Sequence, residues 1–179
     1  SYNLNGDLPT VTDADLLLGY LNPDYFLGGQ MPLNTIAAEN AIENTLAKET
    51  GLTPVEAAAG VHELVNENMA SAARVYVAEK GKALSQLSLV AFGGAGPVHA
   101  VGLARKLGCP RVIIPPFSGV MSSLGLLAAP VAFERSQAIR EILRAVDLAT
   151  LETTFCELEK EATSLMPKNS QLTIQRSVD

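Results

Sequence analysis

Tryptophan is absent from this 179-residue chain, and its aromatic content is confined to four Tyr and five Phe. Cysteine occurs only as Cys109 and Cys156, with no C-x-x-C pair, so neither a disulfide framework nor a cysteine zinc site has a basis. Basic residues are the minority charge: 13 Lys and Arg stand against 19 Asp and Glu, giving a net charge of −6 and a pI near 4.9. Neutralising nucleic-acid phosphates requires clustered Lys and Arg, and no such cluster occurs, so nucleic acid is not an expected partner. Long apolar runs are missing as well. The longest, Leu124 to Phe133, is about half of the roughly 20 residues a membrane helix needs, and Pro130 interrupts it. No membrane span is expected. With no signal-like N-terminus either, the expected compartment is the cytoplasm.

What the chain does hold is 47% hydrophobic residues against 18% charged ones, enough for one or two ordinary cores. Residues 1–9 read as a loop, followed by Thr12 or Asp13 as N-cap of a short helix "ADLLLGYL" that Asn22-Pro23 ends. "YFLGGQM" is a turn-rich connector. "NTIAAENAIENTLAKETG" has helical periodicity, with Asn34 as cap and Gly51 as stop. Thr53, Pro54 and Glu56 form a capping-box pattern that opens a long helix reaching toward Gly81. Along it Ala58, Val61, Val65, Met69, Ala72 and Tyr76 recur at three- and four-residue steps, an apolar stripe expected to face the core.

Beyond Gly81 the pattern changes to "LSLVAFG" as a strand, "GPVHAVGLARKLG" as a helix, "RVIIP" as a second strand and "SGVMSSLGLLAA" as a second helix. This alternation with short connections predicts an α/β fold with parallel pairing. "VAFERSQAIR" alternates as a further strand, Asp147 caps a helix through "LATLETTFCELEKEATSLM", and "QLTIQRSVD" reads as a strand that stops without a turn. The expectation is a fragment of a longer protein.

The chemistry-bearing stretch is "VAFGGAGPVHA". A glycine turn between a strand and a helix lets a ligand approach the backbone, and the helix N-terminus offers N–H groups with positive partial charge. Pro97 suits the first helical position. Gly94-x-Gly96 is followed at the third position by His99, so this is no dinucleotide fingerprint; no Lys-Ser/Thr follows, so it is no Walker A loop. Pattern alone leaves a tight connection and a ligand loop equally open.

The segment "LVAFGGAGPVHAVGLARKLGCPRVIIPPFSGVMSSLGLL", with "LPTVTDADLLLGYLNPDYFLGGQM" and "VNENMASAARVYVAEKG" upstream, resembles the hydantoinase A and 5-oxoprolinase family, whose relatives include subunits of acetone-type carboxylases. The resemblance covers roughly Asp7 to Arg140 and is looser from Glu141. It implies one lobe of an actin-like ATPase fold, of the sugar kinase and heat-shock chaperone type, with a helical insert. The implied divisions are 1–33 as loop and short helix, 34–82 as insert, 83–140 as α/β nucleotide-binding core, and 141–179 as connector helix and start of a C-terminal strand region. The implied activity is opening of a cyclic amide such as a hydantoin or 5-oxoproline, coupled to ATP hydrolysis. Gly93, Gly94, Ala95, Gly96 and Pro97 would lie against the adenosine and α-phosphate. The implied partners are the nucleotide, a small cyclic amide and a hydantoinase B-like subunit or fused domain. The family's Asp-x-Gly-Gly-Thr phosphate loops have no match here, so the Mg²⁺ ligands are expected outside this chain and the chain by itself is expected to turn nothing over. Two alternatives stand beside this reading: the ATP-binding subunit of an acetone-type carboxylase, and a non-catalytic actin-like nucleotide-binding domain.

Other residues carry less. His99 in the first helical turn either contacts ligand or bonds a neighbouring loop. Glu67 and Arg74 are secondary nucleotide candidates on a helix face otherwise expected to be solvated, and His62 is expected to be solvated. Asp13 and Asp15 suggest a metal pair, but a helix cap accounts for the position, and no metal ligand is assigned. Ser118 and Gly119 read as cap and turn, Cys109 as structural and Cys156 as a helical position consistent with burial.

Overall fold

The computed structural model of the chain describes residues 2, 6–140, 146–167 and 171–178. Its elements fall into two compact units, residues 1–124 and 125–179. Among the described residues no helix is long and apolar enough to cross a membrane.

The first unit is built on helices α1 (Val11–Leu17), α2 (Thr35–Ile42), α4 (Pro54–Glu79) and α5 (Gly96–Leu107). Helix α1 is opened by Thr10, not Thr12 or Asp13. Thr10 Oγ1 accepts from the Asp13 backbone N–H, and the Asp13 carboxylate accepts from the Thr10 N–H at 2.8 Å, a complete capping box. Asp13 is therefore the acid of the box. The helix also stops four residues short of the expected Leu21. Gly19, at φ +78°, donates to Leu16 O while Tyr20 N–H donates to Asp15 O at 2.9 Å, a Schellman closure that only a left-handed residue permits.

Asn34 caps α2, its carboxamide oxygen accepting from Ala37 N–H. The helix then runs through a π-helical turn (Glu43–Ala47) into the short α3 (Lys48–Thr50), and left-handed Gly51 ends it as expected. Thr53, Pro54 and Glu56 open α4 by the predicted capping box. Ala14, Ile42, Ala47, Ala57 and Ala58 form one core between these helices, and Leu16, Leu33 and Ala38 a second.

The buried face of α4 differs from the expected stripe. Ala57, Ala58, His62, Asn66 and Ala70 are the buried positions, Val61, Val65 and Met69 flank them, and Ala72 and Tyr76 are exposed. Small and polar residues at four-residue steps let α1 and α5 approach closely, and the polar pair finds partners on those helices.

Strands β1 (Ser88–Val90) and β2 (Arg111–Ile113) pair in parallel, Leu89 opposite Val112, on either side of α5. Both are shorter than predicted. After β2, a 3-10 turn (Ser118–Val120) leads into α6 (Met121–Ala128). In the second unit, α7 (Leu148–Ser164) is capped by the Asp147 carboxylate, which accepts from Ala149 and Thr150 N–H. The strands expected at 131–140 and 171–179 are not formed among the described residues. Alternation defines two faces but supplies no partner edge. Instead Arg176 lies over the Phe155 ring at 5.1 Å and pairs with Glu152 and Glu159 on α7. The loop expected at 1–9 and the connector from Glu141 fall partly outside the described residues.

Candidate functional site

The glycine turn leaves β1 through Ala91, whose N–H donates to Ile113 O at 2.9 Å. Gly93 takes φ +92°, a conformation that favours glycine, and its N–H donates to Ser118 O at 2.8 Å, tying the turn to the loop after β2. A Cβ at Gly93, Gly94 or Gly96 would meet nothing within 4 Å, so the space over the turn is open. Helix α5 begins at Gly96, with Pro97 second, and no side chain caps it. An uncapped N-terminus of a 12-residue helix behind an open glycine backbone can accept an anionic group without rearrangement. A cavity of about 130 Å³ beside the turn is lined in part by Met69, Phe92, Gly96 and His99.

His99, the fourth residue of α5, is 4% exposed and turns inward. Its Nδ1 lies 3.1 Å from Asn66 Oδ1 on α4; an amide oxygen only accepts, so Nδ1 donates. Its Nε2 lies 3.5 Å from Asp15 Oδ2 on α1, and Asp15 Oδ1 lies 2.7 Å from His62 Nδ1. The His62 and His99 rings stack at 4.6 Å, and Tyr20, delivered by the Schellman closure of α1, stacks on His62 at 4.7 Å. Burial pushes the His99 imidazole below its ordinary pKa of 6.5; Asp15 opposes this and His62 adds to it. The neutral ring is favoured. His99 thus contacts the neighbouring helices through both nitrogens while standing directly beneath the turn.

Glu67 and Arg74 are placed elsewhere. Arg74 donates to Glu67 Oε1 at 2.8 Å and to Lys106 O at 3.0 Å, and Lys106 Nζ meets Glu67 at 3.1 Å and Glu63 more closely. These contacts clamp α4 to the C-terminal end of α5, about 15 Å along its axis from the glycine turn. Arg74 and Lys106 hold the Glu67 carboxyl below its ordinary value.

Asp13 and Asp15 do not act as a pair: Asp13 serves the cap, and Asp15 faces the histidines. Ser118 begins the 3-10 turn and Cys109 Sγ donates to Leu84 O at 3.7 Å. Cys156 is half-buried on α7.

Sequence reading expects His62 to be solvated, assigns Asp15 no ligand after weighing it only as a pair with Asp13, and gives Asn66 no role. His62 is 8% exposed, not solvated. A signal was present in the four-residue steps Ala58, His62, Asn66, Ala70, a seam of small and polar residues that one helix alone does not identify as interior.

A family model described as Hydantoinase/oxoprolinase matches residues 1–135. The chain is 46% identical over 124 residues to the acetophenone carboxylase gamma subunit of Aromatoleum aromaticum, covering 69% of this chain and 17% of that protein. It is 33% identical over 175 residues to the 5-oxoprolinase of Dictyostelium discoideum, covering 90% and 14%. Among solved structures it resembles nucleotide-free acetone carboxylase, with TM-score 0.66 and 34% identity over 87% of this chain and 23% of that one. It also resembles the ATP-dependent caprolactamase of Pseudomonas jessenii, with TM-score 0.68 and 31% identity over 91% and 24%. The chain spans about a quarter or less of the length of each of these relatives.

Proposed function

The chain belongs to the hydantoinase/oxoprolinase family, and from that premise we propose that it carries the adenosine-side loop of an ATP-dependent cyclic-amide hydrolase, within one lobe of an actin-like ATPase fold. The observation that carries this reading is the open backbone of Gly93, Gly94 and Gly96 leading into the uncapped start of α5. Those residues, with Ala95 and Pro97, are read as the nucleotide's seat: a Cβ on any of the three glycines would meet nothing within 4 Å, and the helix dipole favours an anion there. His99 supports the turn from below through Asn66 and Asp15.

The single-lobe reading is supported by the sheet. Parallel strands are normally buried on both faces, yet Val90 is 51% and Ile113 42% exposed, and Ile114 beyond it 51%. Two three-residue strands with such surface fit a sheet completed by other parts of a longer protein. The same reading leaves room for a hydantoinase B-like partner or fused domain.

In this scheme ATP supplies a phosphoryl group to the amide oxygen, making the ring carbon open to water so that the C–N bond breaks and phosphate departs. The chain's own contribution is positional. Backbone N–H groups of the turn and the α5 terminus orient the adenosine side of the nucleotide, while Mg²⁺ ligands and the phosphate cradle belong to residues beyond it.

A second reading is favoured by the 46% identity to a carboxylase subunit: the same loop would serve phosphorylation of a ketone or of bicarbonate within a multi-subunit carboxylase. ADP release by the longer protein separates the two. Release that depends on 5-oxoproline, hydantoin or caprolactam, with a ring-opened product, supports the hydrolase. Release that depends on acetone or acetophenone with bicarbonate supports the carboxylase and overturns the first reading. Nucleotide binding with no substrate-dependent release overturns both in favour of a non-catalytic nucleotide-binding domain.

A further inference from the structure

The chain contains two histidines, separated by 37 positions in sequence, and the fold stacks them against one carboxylate in its interior. We propose that Asp15, His62 and His99 form a binding site for one divalent transition-metal cation of the zinc class, which pins α1, α4 and α5 together beneath the glycine turn.

Three features carry this. The first is the donor set: one ligand atom from each of three helices, all buried, all within 4.8 Å of one another. A tetrahedral ion with bonds of about 2.0–2.1 Å sets its donors roughly 3.3 Å apart. Asp15 Oδ2 lies 3.5 Å from His99 Nε2 and Asp15 Oδ1 lies 2.7 Å from His62 Nδ1, so each carboxylate oxygen faces one ring nitrogen, and the stacked imidazoles must turn about their side-chain torsions for both nitrogens to converge on one ion when it replaces the shared proton. A water completes four-coordination.

The second feature is the orientation of His99. Its Nδ1–H is committed to Asn66 Oδ1, so a neutral ring presents the lone pair of Nε2 to Asp15 Oδ2. Two acceptors facing each other repel unless a proton or a metal cation lies between them. Asn66 has the role of an outer-shell partner that fixes the tautomer of a metal-ligating imidazole.

The third is charge. Asp15 is 4% exposed, and among the described residues its carboxylate meets no Lys or Arg, only the two imidazoles. A divalent ion removes the uncompensated buried charge. Two nitrogens and one carboxylate oxygen suit zinc, cobalt or nickel, whereas magnesium and calcium prefer oxygen ligands. The site is therefore separate from the Mg²⁺ that accompanies ATP, and it goes beyond the functional reading above without depending on it.

The test uses the chain stripped of metal by chelation, with no nucleotide present. Titration with Zn²⁺ and with Co²⁺ is expected to show one equivalent bound, visible ligand-field bands for Co²⁺, and a raised melting temperature. Mg²⁺ should produce none of these. Asp15→Asn and His62→Gln should abolish the equivalent, and Asn66→Ala should weaken it about 10–100-fold. Imidazole ¹⁵N spectra of the unsubstituted chain provide a readout that no variant can confuse: both histidines should shift together on addition of Zn²⁺. No uptake by the parent chain, uptake undiminished in both ligand variants, or unshifted histidine nitrogens would overturn the proposal and leave a hydrogen-bonded His-Asp-His network.

Discussion

Asn66 on α4 and Gly102 on α5 share one space between the helices: a Cβ on Gly102 would sit 2.6 Å from Asn66 Nδ2. The missing side chain lets Asn66 reach His99, so one glycine sets the geometry beneath the turn. Gly102→Ala should displace Asn66 from the His99 ring and destabilise the chain by about 1–3 kcal/mol, the range for overpacking a tight interior. Gly60→Ala on α4, where a Cβ meets nothing, should instead stabilise by about 0.5–1 kcal/mol. Urea unfolding midpoints of the two variants are expected to move in opposite directions.

Tyr20 reaches His62 because Gly19 reverses the chain in a left-handed conformation. Gly19→Ala keeps the backbone N–H but strains that turn, with a cost of about 1–2 kcal/mol. A lowered thermal midpoint should accompany a changed Tyr20 environment in near-ultraviolet circular dichroism. Unchanged spectra would separate the Schellman closure from the stacking.

Thr53 is a separate lever on the long helix. It accepts from Glu56 N–H and its own N–H is taken by the Glu56 carboxylate. Thr53→Ala removes the hydroxyl half of the box and should reduce stability by about 1 kcal/mol, measured by equilibrium unfolding. Thr53→Asp should restore most of that loss.

Acidification should loosen the contact between α4 and the end of α5. The Glu67 carboxyl is held below its ordinary value of 4.5, first by Arg74 and then by Lys106. A depressed folded pKa means that the stabilisation is fully present above 4.5 and is lost as pH falls through the lower folded value. Glu67→Gln should flatten this part of the stability profile below pH 4.5 and leave the remainder of the acid limb in place. Equal slopes for parent and variant would contradict the assignment.

Where local chemistry decides an element, the sequence displayed it plainly. The Thr53-Pro54-Glu56 box, the Asn34 and Asp147 caps, the Gly51 stop and the glycine turn into α5 each depend on residues within four positions of one another. Three-dimensional partnership was less legible. Residues 131–140 alternate like a strand but have no edge to pair with, and the apolar stripe of α4 ran past the face that α1 and α5 select. The cluster of Asp15, His62, Asn66 and His99 draws on three helices, and the four residues span 85 positions of sequence. Periodicity registers apolar faces, so a buried face built from alanine, histidine and asparagine gives little contrast.

Nucleotide binding by a protein that contains this chain, compared between parent and Gly94→Val, tests the central claim most directly. A valine at 94 fills the open space over the turn that is read as the nucleotide's seat, with no packed neighbour within 4 Å of its Cβ to disturb the fold. Loss of binding to a non-hydrolysable ATP analogue, with the melting temperature of the unliganded protein unchanged, is the result predicted. Binding of the analogue by Gly94→Val as tight as by the parent would contradict the assignment of the turn.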